Sequence, residues 1–140
     1  MWSKSHTQTF ENITAAQVWR AWTNVSRWPE WDADIAYCKM TGAFVVGNHF
    51  ILKPKKGPEV RIEILEAVEN KRFVDCTRFP GAKMYGIHEF HEEPNGKLRL
   101  TAKIEVTGWL GWLWRKLVAQ EIADGLAEQM DALVAVVRKG

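Results

Sequence analysis

Apolar and polar residues alternate most cleanly over Leu98–Val106, where Leu98, Leu100, Ala102, Ile104 and Val106 share one face and Arg99, Thr101, Lys103 and Glu105 the other. A period of two predicts a strand covered on one side. Five earlier stretches have strand character: Ile35–Thr41, His49–Lys53, Glu59–Val68, Arg72–Phe79 and Lys83–Glu92. The Thr-rich segment Thr7-Gln8-Thr9-Phe10 precedes them. Gly and Pro punctuate the series, and Pro94-Asn95-Gly96 supplies a hairpin turn before the last strand. Connections this short predict an antiparallel meander rather than crossover units.

Two segments carry a helical period instead. Thr14 with Gln17 forms a capping box, and Ile13 with Val18 a hydrophobic staple, so a helix begins there. Val18, Trp22 and Val25 bury one face of it and leave Arg20 and Asn24 in water. Pro29 biases Trp28 away from helical geometry, which ends that helix and starts a second short turn. From Trp109 onward, Val118, Ile122, Leu126, Met130, Leu133 and Val137 recur every three or four residues, with Lys116, Gln120, Asp124, Glu128 and Asp131 on the far side. The stripe is about 30 Å long at a rise of ~1.5 Å per residue, and only the concave face of a sheet is large enough to cover it. Gly125 lies inside this helix at a cost of ~1 kcal/mol relative to Ala, which either close packing on a strand or space left for a ligand would explain.

The elements amount to one α+β domain, a seven-stranded curved antiparallel sheet around a long C-terminal helix, with two short helices between strands 1 and 2. That order resembles the START-like helix-grip superfamily. More narrowly, Val18-Trp19, Trp28-Pro29-Glu30-Trp31-Asp32, Phe79-Pro80-Gly81, His88-Glu89-Phe90 and Thr107-Gly108-Trp109-Leu110-Gly111 are similar to its polyketide cyclase/dehydrase-like branch. The resemblance spans nearly the whole chain and implies a hydrophobic cavity between sheet and long helix. The superfamily includes cyclases, lipid carriers and chaperone activators, so the resemblance implies a container and no particular reaction.

Composition narrows the partners. The chain has 140 residues, 46% of them hydrophobic and 26% charged, enough for one core. Nineteen basic against 17 acidic residues leave a net charge of +2, short of the clustered excess that nucleic-acid binding needs. No apolar run has signal-peptide or membrane-span length, so a cytoplasmic protein without integral membrane association is expected. Cys38 and Cys76 fall in separate strands outside any Cys-x-x-Cys spacing, the pattern of two reduced, inert thiols. No obligatory cofactor or metal is expected. His88 and His91 project to opposite faces of one strand and cannot share an ion.

Acid–base work on a poly-β-ketone, as in a cyclase or dehydratase, needs polar groups inside the cavity. If Phe90 faces the core, strand parity brings Met84 and His88 with it, and Phe10 brings Gln8 and His6. His88 is the candidate catalytic residue, since an ordinary pKa of about 6.5 suits a general acid or base; a hydrogen-bonded core histidine is the other reading. His6, Gln8, Trp31, Met84, His88, Phe90, Leu126 and Met130 are the candidate ligand-binding residues, by parity and helix spacing and not by a family active-site motif. Asp75 and Arg78 lie on opposite faces of their strand, and the sequence leaves open which face is concave; a rim Asp75 and a solvated Arg78 are expected. Trp109, Trp112 and Trp114 beside Arg115 and Lys116 either pack on the sheet or form a patch that touches membranes transiently. The expected partner is a small hydrophobic molecule, bound by a monomer or homodimer. A non-catalytic carrier and a protein-interaction module are the alternatives to catalysis.

Overall fold

The computed structural model describes all 140 residues, Met1–Gly140. Strand β1 spans Trp2–Glu11, followed by helix α1 (Ala15–Thr23), a 3-10 turn (Val25–Glu30) and six more strands, β2 (Ile35–Lys39), β3 (His49–Pro54), β4 (Val60–Val68), β5 (Arg72–Phe79), β6 (Ala82–Glu93) and β7 (Lys97–Thr107). They form one antiparallel sheet in the order β1-β7-β6-β5-β4-β3-β2. The predicted meander is therefore closed by the first strand, which joins the far edge beside the last.

Local chemistry accounts for the helix corner. The Thr14 hydroxyl accepts from the Gln17 main chain while the Gln17 side chain accepts from the Thr14 N–H, so both halves of the capping box are made. Val18, Trp22 and Val25 are buried, Arg20 and Asn24 exposed. The Trp28 indole donates to the Trp22 carbonyl at 3.2 Å, tying α1, which ends at Thr23, to the 3-10 turn that contains Trp28 and Pro29.

Rings from this corner fill one half of the concave face. Trp19 and Trp22 meet Phe73 and Phe90 at centroid distances of 5.5–6 Å or so, mostly edge to face, and Phe44 and Phe50 extend the block. Such contacts add about 1 kcal/mol each beyond burial.

The C-terminal segment is not one continuous helix. Helix α2 (Gly111–Trp114) passes into a π turn (Arg115–Ala119), then α3 (Gln120–Asp124) and, after Gly125, α4 (Leu126–Lys139). The buried positions are Ala119, Ala123, Leu126, Met130, Leu133 and Val134. Of the residues placed on the buried stripe by sequence, Val118 is half-buried and Ile122 exposed, because the wide π turn rotates the helix face. Gly125 is also corrected: a Cβ there would meet only the Glu121 and Ile122 carbonyls, at 3.6 and 3.7 Å, so no strand presses on it. It marks the break between α3 and α4, at φ −95° and ψ 2°.

Candidate functional site

The concave face is identified by Phe73, which lies in the core with Trp19 and Trp22. Parity then turns Asp75, Thr77 and Phe79 inward and Arg78 outward, where it pairs with Glu63 at 3.0 Å. The solvated Arg78 matches expectation. The rim Asp75 does not: β5 is the central strand of seven, so its inward carboxyl lies under the helix layer.

Register brings Asp75 to the expected histidine. Phe73 pairs with His88 and Asp75 with Gly86 across β5 and β6. The missing side chain at Gly86 makes the space for the carboxyl, since a Cβ there would lie 2.6 Å from Asp75 Oδ1. The carboxyl reaches diagonally to His88, with Oδ2 4.0 Å from Nδ1. Phe73 stacks on the imidazole at 4.0 Å and Trp22 meets it edge-on at 4.7 Å. His88 Nδ1 is buried without any hydrogen-bond partner.

Burial sets the protonation of both groups. It pushes the Asp75 carboxyl up to about 7, the Gly86 main chain pulling weakly the other way. Burial also pushes His88 down to about 3, against the Phe73 main chain. Burial thus holds the imidazole neutral and brings the titration of the Asp75 carboxyl close to neutrality. Both side chains still touch solvent-sized space, keeping 14% and 11% of their surface.

On the concave face Phe50, Ile62, Ile64, Phe73, Phe90 and Leu100 are buried, whereas Leu52, Val60, Phe79 and Met84 are partly covered and pack against that core. Register sets the buried Thr77 between Ile62 and Met84, on the same strand face as Asp75. Trp114 stacks on Phe79 at 4.4 Å and donates to the Pro80 carbonyl at 2.8 Å, which ties the start of the C-terminal segment to that end of the sheet.

The other expected residues are dispersed. Met84 is half-buried against the core, whereas Phe90, Leu126 and Met130 belong to the buried core itself. His6 lies on the same cross-strand row as His88 with Ala102 between them, but its ring bonds Gln8 at 2.9 Å, and Gln8 donates to Asp131 of α4 at 3.0 Å. Trp31 lines a separate open groove of about 650 Å³ between α1 and the end of α4, with Arg20, Asn24 and Val137. Sequence placed Asp75 at the rim and did not single out Thr77; glycine opposite an aspartate in paired strands was the signal available for the first. No group of three or more His, Cys, Asp or Glu side chains gathers as a metal site would, and no helix is long and apolar enough to cross a membrane.

Comparison with known proteins agrees with this architecture. Among solved structures, the chain is similar to a hypothetical protein from Helicobacter pylori (TM-score 0.78, 15% identity, 97% of this chain and 88% of that one). It is similar to a START superfamily protein from Mycobacterium smegmatis (0.74, 14%, 98% and 97%). A third likeness is norcoclaurine synthase from Thalictrum flavum, solved with dopamine and hydroxybenzaldehyde (0.72, 12%, 99% and 88%). At these identities the likeness establishes the fold alone. Among curated proteins none matches. The family model described as polyketide cyclase / dehydrase and lipid transport matches residues 1–138, and family and fold are compatible with a hydrophobic ligand. With nearly every residue matched, from β1 through α4, the chain belongs to the polyketide cyclase / dehydrase and lipid transport family.

Proposed function

We propose that the protein binds a small hydrophobic molecule between the sheet and the C-terminal segment, and that Asp75 and His88 act on its polar end as an acid–base pair. The observation that carries this reading is the convergence of two buried polar groups, 4.0 Å apart, in an aromatic setting that leaves one imidazole nitrogen unpartnered. A purely apolar carrier has no use for that arrangement, and an unpaired buried polar atom costs about 1–3 kcal/mol.

The chemistry follows from the two protonation states. Asp75 as the acid donates to a ligand carbonyl; as the carboxylate it removes an acidic α-proton. Neutral His88 holds the neighbouring hydroxyl or enol through Nδ1. A ligand with a carbonyl and a hydroxyl close together, on an apolar body that fits beside Leu52, Val60, Phe79 and Met84, meets both groups.

Native against denaturing mass spectrometry of freshly purified protein tests the container, because a small molecule lost on denaturation shows its mass directly. Asp75→Asn and His88→Gln then test the pair. Both variants should fold and weaken retention of a hydroxy-carbonyl compound, with no effect on a hydrocarbon of equal size. Equal retention of both compounds by both variants would overturn the acid–base reading.

A further inference from the structure

The first half of the C-terminal segment is apolar on both sides. It buries Ala119 and Ala123 against the sheet, yet exposes Trp112 by 67%, Leu117 by 59% and Ile122 by 38%. Leu117 lies inside the π turn that follows Trp112. Trp109, before α2, is 80% exposed. These side chains stand on a rigid base. The Leu110 N–H donates to the Gly81 carbonyl at 2.9 Å, Trp114 is locked on Phe79 and Pro80, and Gly108, at φ +107°, lies so close to Gly81 that a Cβ would come within 2.4 Å of its carbonyl oxygen. Two nearly bare indoles held this firmly are not a floppy loop tip, and exposed apolar patches of this kind mark interaction surfaces.

Charge selects the partner. The topology brings the β3–β4 turn, the start of β6 and the start of α2 to the same Pro80 end of the sheet. Lys55, Lys56, Lys83 and Lys116 are exposed there, and none forms an ion pair. Of the nearby acidic groups Glu63 is engaged by Arg78 and Glu59 by Tyr37, while Glu121 on α3 and Asp34, whose carbonyl accepts from the Lys55 N–H, carry no ion pair. Arg115 sits over the Trp2 ring at 5.0 Å. Bare indoles flanked by unpaired lysines suit the headgroup layer of an anionic bilayer, where indoles settle at the polar–apolar boundary and lysines meet lipid phosphates.

We propose that Trp109, Trp112 and Leu117, with Lys83 and Lys116, form a docking face for the surface of an anionic lipid membrane. The face goes beyond the ligand reading and stands without it.

Vesicle flotation tests the proposal, with vesicles of phosphatidylcholine alone and of phosphatidylcholine mixed with phosphatidylglycerol. The protein should float with the mixed vesicles, more weakly with the neutral ones and less as salt rises. Trp109→Ser/Trp112→Ser, at two exposed positions, should lower mixed-vesicle binding about tenfold or more with unchanged circular dichroism, since affinity follows buried apolar area. Lys83→Glu/Lys116→Glu should remove the preference for the anionic lipid. Asp75→Asn and His88→Gln should float as the parent does, which separates docking from ligand chemistry. Absence of flotation with mixed vesicles, or flotation undiminished in the tryptophan variant, would overturn the proposal. So would dimerisation that only the tryptophan variant abolishes, because the face would then join two copies of the chain.

Discussion

Asp75 and His88 face each other at 4.0 Å across β5 and β6, and the same burial moves their proton affinities in opposite directions. Asp75 rises from 3.8 to about 7, so between those values the folded chain holds more protons and this group makes stability fall with pH. His88 drops from 6.5 to about 3, so between those values the unfolded chain holds more and this group makes stability rise with pH. From about pH 4 to 6.5 the two slopes cancel.

Urea unfolding across pH 4–7 reads this balance. On their own curves, Asp75→Asn should gain stability with rising pH up to about 6.5, and His88→Gln should lose it up to about pH 7, each by at most ~1.4 kcal/mol per pH unit. Two variants that both track the parent curve would show that the groups are not held in these states.

Gly86→Ala places a methyl 2.6 Å from Asp75 Oδ1, and either the carboxyl or the strand must move. A loss of about 1–3 kcal/mol is expected. The same substitution made in an Asp75→Ala background should cost much less, because the clashing atom is gone. A double-mutant cycle measures the coupling, and strict additivity would count against this contact.

Gly125→Ala should stabilise the protein by up to ~1 kcal/mol, a rise of a few degrees in Tm, because φ is negative and no neighbouring element approaches the new methyl. Thermal melting decides it. A lowered Tm would mean that the break between α3 and α4 needs the glycine itself.

Cys38 and Cys76 are free, buried thiols, and burial pushes Cys38 up to about 12 and raises Cys76 as well. Neither should react with a thiol reagent at pH 8 in the native protein, and both should react in denaturant. Rapid native labelling of either would place it at an opening.

The parts of this architecture that were legible in sequence are those set by local chemistry. The Thr14–Gln17 box, the Pro29 corner, the Pro94-Asn95-Gly96 turn and the alternation of β7 each depend on a few consecutive residues, and each is found. The helix face was misjudged where a π turn altered the rise and phase that a regular period assumes, so that Ile122 faces water and Val118 is only half-buried. The site was half legible. Parity aligned Met84, His88 and Phe90, but which face of β5 is concave depends on its partners in the sheet, and so did the meeting of Asp75 with His88 over Gly86. His6 and Gln8 obey the same parity, yet lie on the edge strand, where α4 supplies Asp131 and draws them aside.

Strand order has a consequence for how the chain comes to be folded. β1 leaves the ribosome first, yet its one partner is β7, so Glu11 waits for Lys97 and Trp2 for Val106. Successive hairpins from β2 through β7 can zip as they are made, each closing a short loop. The first strand closes the longest loop in the sheet, and that step comes last and carries the largest entropic cost. Until it happens, the inner edge of β7 lies unpaired beside a finished meander, and the window for mispairing with another chain is longest there.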